Sequence, residues 1–117
     1  MPHRVIYQPK AEDDLQNIIT YLIERSGSAE TAYQYADRIK EFCDSFVTFP
    51  RRGTKRDDLR PGLRITNFER RVTIAFTVVN ETVFIARIFY AGRDIDRYFH
   101  ELIDEFDHDE YRRAITL

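Results

Sequence analysis

The hydrophobic residues of this chain change their spacing near its middle, and that change constrains the fold more than any other feature. From position 9 to about 49 they recur every three or four residues, and from Leu63 to Tyr90 mostly every second residue. The first spacing lines one side of a helix and the second lines one side of a strand. A chain of 117 residues with a long helical stretch followed by a run of strands is a single domain with helices segregated from an antiparallel sheet, an α+β architecture.

Ala11, Leu15, Ile18, Ile19, Leu22 and Ile23 predict a helix over 9–26. Pro9 suits its first position, and Glu12, Asp13 and Asp14 suit its positive N-terminal end. Ser26 and Gly27 stop it, and Ser28 caps a second helix whose stripe is Ala32, Ala36, Ile39, Cys43, Phe46 and Val47, running to about Phe49. So short a joint makes the pair an antiparallel hairpin. Residues 3–8 predict a short strand. Leu63–Phe68, Arg71–Val79 and Thr82–Tyr90 predict a meander with a tight turn at Asn80–Glu81. On the second of these strands Val72, Ile74, Phe76 and Val78 share one face and Thr73, Ala75 and Thr77 the other; the third is apolar on both faces and therefore interior. Ile95, Tyr98, Phe99, Leu102, Ile103 and Phe106 return to helical spacing. The expected order is β-α-α-β-β-β plus a C-terminal helix, a two-layer sandwich with Leu15, Ile18, Leu22, Ile39 and Phe46 in its core. The sheet face away from the helices is expected to form a groove with the loop that follows them.

That loop, FPRRGTKRDDLRPGLR from Phe49 to Arg64, carries Arg51, Arg52, Lys55, Arg56, Arg60 and Arg64 against Asp57 and Asp58 only. Pro50–Gly53 and Pro61–Gly62 punctuate it, as in an ordered loop. Residues 51–93 hold 10 basic and 4 acidic side chains, whereas 94–117 hold 3 and 8, in a protein of net charge −2. A cationic element in an acidic chain fits an anionic partner, an acidic protein segment or a nucleic acid. Arg87 lies mid-strand; it pairs with a carboxylate, at Asp94 or on the first helix, or it contacts the partner.

Cys43 is the only cysteine, which excludes an internal disulfide and a CxxC metal site and fits a reducing compartment. It lies on the stripe of the second helix and reads as a core thiol. His100, Asp104 and His108 fall on one helical face, but their acidic neighbours make this a solvated face, and no metal is expected. No phosphate loop, HExxH or GxSxG occurs and no cofactor is expected. No apolar run approaches the about eighteen residues of a membrane span, and the start lacks a signal-peptide core, so the cytoplasm is expected.

VIYQPKAEDDLQNIITYLIE, AETAYQYADRI, FPRRG, DLRPGLR, RRVTIAFTV and VFIARIFYAGRD, in this order, resemble the ParE branch of the ParE/RelE toxins. The resemblance runs from residue 3 to about 95, leaving 96–117 as an acidic C-terminal extension outside the toxin domain of 1–95. The family pattern often has histidine where Tyr90 stands. The resemblance implies a type II toxin–antitoxin system, a ParD-like antitoxin bound in a hetero-oligomer, and inhibition of DNA gyrase, a protein poison with no catalytic residues. The contacts expected to serve a partner are Arg51, Arg52, Lys55, Arg56, Arg60, Arg64, Arg87 and Arg93. The alternatives are a RelE-like ribosome-dependent mRNA endonuclease, in which Lys55, Arg56, Arg64, Arg93 and Tyr98 form the catalytic set, and a binding module without toxicity.

Overall fold

A computed structural model describes residues 4–90. The elements are β1 (Arg4–Tyr7), α1 (Pro9–Ser26), α2 (Ala29–Asp44), a 3-10 turn (Ser45–Val47), β2 (Thr54–Lys55), β3 (Leu63–Phe68), β4 (Val72–Val79) and β5 (Thr82–Tyr90). The strand, the helical hairpin and the meander of the sequence reading are present. The expected C-terminal helix, Arg93, Tyr98 and the His100–Asp104–His108 group lie outside the described residues. Among the described residues no helix is long and apolar enough to cross a membrane.

Local chemistry sets the helix ends. Gly27 takes φ +70 as the left-handed cap of α1, donating its amide to the Ile23 carbonyl. The Ser28 side chain accepts the Thr31 amide at the start of α2. The α2 helix stops at Asp44, earlier than its apolar stripe suggests, because the last turn tightens to 3-10 geometry and delivers Phe46 to the core. Between α1 and α2 the seam holds Ile19, Ala32 and Ala36, small enough on α2 for close approach.

Two strands join the expected meander. The sheet order is β1-β5-β4-β3-β2, with β1 parallel to β5 and β2 antiparallel to β3. Glu69 and Arg70 turn β3 into β4, and Asn80 turns β4 into β5, all with positive φ. The hairpin covers one face, where Ile18, Ile39, Cys43 and Phe46 meet Val72, Ile74, Phe76, Val83, Ile85 and Ile88. Leu15 and Leu22 pack beside this core and are only partly buried, so the two leucines carry less of it than their spacing suggests.

The strict alternation expected along β5 fails once. Ala75 pairs with Arg87 and Phe76 with Ile85, so Ala86 is the extra residue of a bulge. Val83 and Ile85 face the helices before it, and Ile88 does so after it. Phe89 therefore joins Leu63, Ala75 and Ala86 on the face away from the helices.

Candidate functional site

The bulge lies where β1 runs out. β1 covers Thr82–Ile85, and the Gln8 amide donates to the Ile85 carbonyl at 3.0 Å. Beyond that point α1 lies along β5, and Asp14 takes over the edge. Its Oδ2 accepts the Ile88 amide at 2.9 Å and Arg87 Nε at 2.7 Å, while Oδ1 accepts Arg87 Nη2 at 2.8 Å. The two side chains are 5% and 12% exposed, and the guanidinium also stands 5.0 Å from the Phe89 ring centre. Of the two readings open for Arg87, the ion pair to an acid on the first helix is the one found, and it leaves the guanidinium buried and held at two nitrogens.

The loop after α2 sorts its cations in the same way. Arg52 turns inward, its guanidinium 4.5 Å from the Phe46 ring centre and 5.4 Å from that of Phe42, with Nε donating to the Phe49 carbonyl at 2.9 Å. That stacking fixes the path out of the 3-10 turn and ties Arg52 to the aromatic packing. Arg56 holds Asp58 through Nε and Nη2, at 3.0 and 2.8 Å, and these hydrogen bonds, with the guanidinium charge behind them, keep the Asp58 carboxyl below the usual carboxylate range. The Arg56 amide donates to the Leu63 carbonyl, closing the turn between β2 and β3, and Asp57 accepts the Gly62 amide at 2.8 Å. Arg60 donates its amide to the Arg56 carbonyl within this turn.

What remains pointing outward is a smaller set. Arg51, Lys55 and Arg64 line a cleft of about 230 Å³ with Asp57, Gly62 and Val78. Arg64 reaches the Arg51 and Arg52 carbonyls with Nη1 at 3.2 and 3.3 Å, which steadies the guanidinium at the wall. Lys55 and Arg64 are direct cross-strand partners in the β2–β3 pair. Like charges placed opposite each other on a sheet weaken it, so this pair is a local cost that an anion would relieve. Arg64 pairs with Phe76 and so shares the helix side of the sheet. The cleft is therefore beside the helices at the β2 edge, and the expected groove on the opposite face is corrected: alternation sends Leu63 to that face and Arg64 away from it.

Of the residues that line this cleft, sequence reasoning named Arg51, Lys55 and Arg64 and missed the apolar Val78; in the same loop it also passed over an exposed aromatic. Phe49, just before the loop cations, is 68% exposed, the most of any large hydrophobic residue described. Its isolation from the α2 stripe by Thr48 and its place before Pro50 were the available signals. Val78 supplies the apolar wall. Of the RelE-like set, Lys55 and Arg64 stand side by side, Arg56 is engaged with Asp58, and Arg93 and Tyr98 lie outside the described residues. Cys43 is fully buried, and burial pushes its thiol up to about 12, with the Asp44 charge adding to the effect. Tyr90, at the site where the family pattern often has histidine, packs against Tyr21 and Tyr35 with ring centres 5.6 and 6.2 Å away. Among the described residues no group of three metal-ligating side chains forms.

A structure titled "Chromosomal ParDE TA system from P. aeruginosa" has the same fold: 24% identity, a TM-score of 0.67, and coverage of 77% of this chain and 97% of that one. No curated protein sequence matches the chain. The family model described as "ParE toxin of type II toxin-antitoxin system, parDE" matches residues 5–95, which include both helices, the five strands but for the first residue of β1, and the cationic cleft. The chain belongs to the ParE toxin family of type II toxin–antitoxin systems.

Proposed function

We propose that this ParE-family toxin inhibits DNA gyrase and that a ParD-like antitoxin neutralises it by laying an acidic segment in the cationic cleft. The observation that supports this most is the outward set of Arg51, Lys55 and Arg64, with a like-charge pair kept opposite across two strands. Lys and Arg side chains stay charged at neutral pH, so the cleft attracts an anionic surface at every physiological pH. Val78 in the wall of the cleft offers apolar area to the same partner. The ParDE system named for the similar structure supports a hetero-oligomer of toxin and antitoxin.

The RelE-like reading draws on the same two residues. Lys55 beside Arg64 could steady the charge that develops on a phosphate during RNA cleavage. The two readings separate in one experiment with antitoxin-free protein. One arm follows gyrase supercoiling and the build-up of cleaved DNA. The other follows message integrity in a translating ribosome mixture. Inhibited supercoiling with intact message is the expected outcome. Cut message with unaffected gyrase assigns the protein to the ribonucleases, and inactivity in both arms leaves a binding module.

A further inference from the structure

The cleft uses one group of outward cations; a second group lies at the turn from β3 to β4. Glu69 and Arg70 take φ 52 and 64 there, and the Arg71 amide donates to the Phe68 carbonyl at 3.2 Å. The left-handed region is disfavoured for side chains with a Cβ, and two consecutive turn residues in it ordinarily read Asn-Gly. The turn from β4 to β5 meets a similar demand with Asn80, at φ 56. A glutamate and an arginine in such a turn give up backbone ease, which points to a task for their side chains.

Glu69 pairs with Arg38 of α2. The Arg38 guanidinium lies 5.1 Å from the Tyr35 ring centre and 5.9 Å from that of Phe68, the residue before the turn. This contact ties the turn to α2 and brings a third guanidinium to it, with the Arg38 and Glu69 side chains 51% and 41% exposed. Arg70 and Arg71 are exposed as well, and among the described residues neither forms an ion pair. Three guanidinium groups thus gather at this end, and Glu69 neutralises one of them.

Arg64 of the cleft and Phe68 are four residues apart on β3, about 14 Å at about 3.4 Å per residue, so the cleft and the turn sit at opposite ends of the strand. They also differ in kind. The cleft is a recess with an apolar wall at Val78. The turn projects from the sheet, and the rings beside it, Tyr35 and Phe68, lie beneath Arg38. A protein partner gains most from apolar anchors seated in pockets. A phosphate backbone needs only projecting donors, and the arginine fork matches phosphate oxygens in pairs.

We propose that Arg38, Arg70 and Arg71 grip the phosphate backbone of a nucleic acid, at the end of the sheet opposite the cleft. This inference stands or falls apart from the antitoxin assignment and from the choice of gyrase or ribosome, since either target holds nucleic acid.

Fluorescence anisotropy of a short labelled DNA duplex over a range of salt tests it in the full chain. The parent should bind. Arg70→Gln with Arg71→Gln should bind at least about tenfold more weakly at low salt, and the slope of log affinity against log salt should shrink by about 2. Arg51→Gln with Lys55→Gln removes the same charge from the cleft and should keep most of the binding. Equal loss in both variants reduces the effect to net charge and overturns the proposal, as does a parent that leaves the duplex free. Poly-glutamate that binds the parent and is lost from the turn variant, with duplex binding unchanged, assigns the turn to an acidic protein and overturns it too. Arg70→Asn gives an independent readout. Asparagine tolerates the left-handed backbone, as at Asn80, so the thermal midpoint should rise while duplex affinity falls. A lower midpoint gives Arg70 a structural role, and an unchanged affinity removes it from the contact; either result contradicts the assignment.

Discussion

The Asp14–Arg87 pair shows how a single carboxylate can serve edge, bulge and core at once. It satisfies the Ile88 amide where β1 no longer does and neutralises a guanidinium brought inside by the β5 bulge. Removing one member of a buried pair strands the other, at a cost of about 3–5 kcal/mol. Asp14→Asn keeps an acceptor for Ile88 but not the charge, and urea unfolding should show a loss in that range; a change near zero would mean that solvent reaches Arg87. Backbone conformation sets the second requirement at this scale. A Cβ at Gly53, where φ is +76, would stand 2.3 Å from the Ile65 carbonyl oxygen, in the β2–β3 approach itself. At Gly27, φ is +70 and nothing lies within 4 Å. Gly27→Ala should therefore cost only the left-handed strain of about 1–2 kcal/mol. Gly53→Ala should cost more and should also disturb the cleft, because Lys55 hangs from the same two-residue strand; equal thermal shifts for the two variants would contradict this.

At the level of elements, the contact of α2 with β1 holds two titratable groups away from their ordinary values. The buried Cys43 thiol of α2 is held up at about 12 from 9.0, and the Tyr7 hydroxyl of β1, donating to Asp44 at 2.8 Å, is raised by burial and then by Cys43 and Asp44. A thiol raised on folding stabilises the native state fully below its unfolded value, and that contribution fades as pH climbs toward the folded one. Thermal midpoints should thus fall between about pH 9 and 12, less steeply in Cys43→Ala than in the parent; parallel slopes would remove the thiol from the account. The helices and the meander were legible in the sequence because each repeats its own apolar period over many residues. β1's parallel partner and β2 were not. One depends on a contact across 78 positions, and the other is only two residues long. The β5 bulge was invisible for a related reason: an extra Ala86 leaves no mark in composition, yet it reverses the facing of Phe89. For the site, residue types were legible and destinations were not. Arg52 and Arg51 are neighbours in an apparently uniform basic run, and only the position of Phe42 and Phe46 decides that Arg52 turns in.

For the whole molecule, charge is arranged in bands, and folding sharpens the middle one. Of the loop's six basic residues, Arg51, Lys55 and Arg64 line the cleft, while Arg52 and Arg56 are committed to the aromatic core and to Asp58. The central claim is that these three side chains recruit an acidic partner. Association with the purified antitoxin, followed by stopped flow over a range of salt, tests this most directly. The comparison is Arg51→Glu with Lys55→Glu in one variant against Arg71→Glu in another, since Arg71 is exposed at the β3–β4 turn, the far end of those strands. Steering by a charged cleft raises on-rates by about 10–10³-fold and is weakened by salt. The cleft variant should associate at least about tenfold more slowly than the parent at low salt, with a flattened salt dependence, and Arg71→Glu should stay near the parent. Equal slowing by both variants would reduce the effect to net charge, and an unchanged on-rate in the cleft variant would place the antitoxin on another surface.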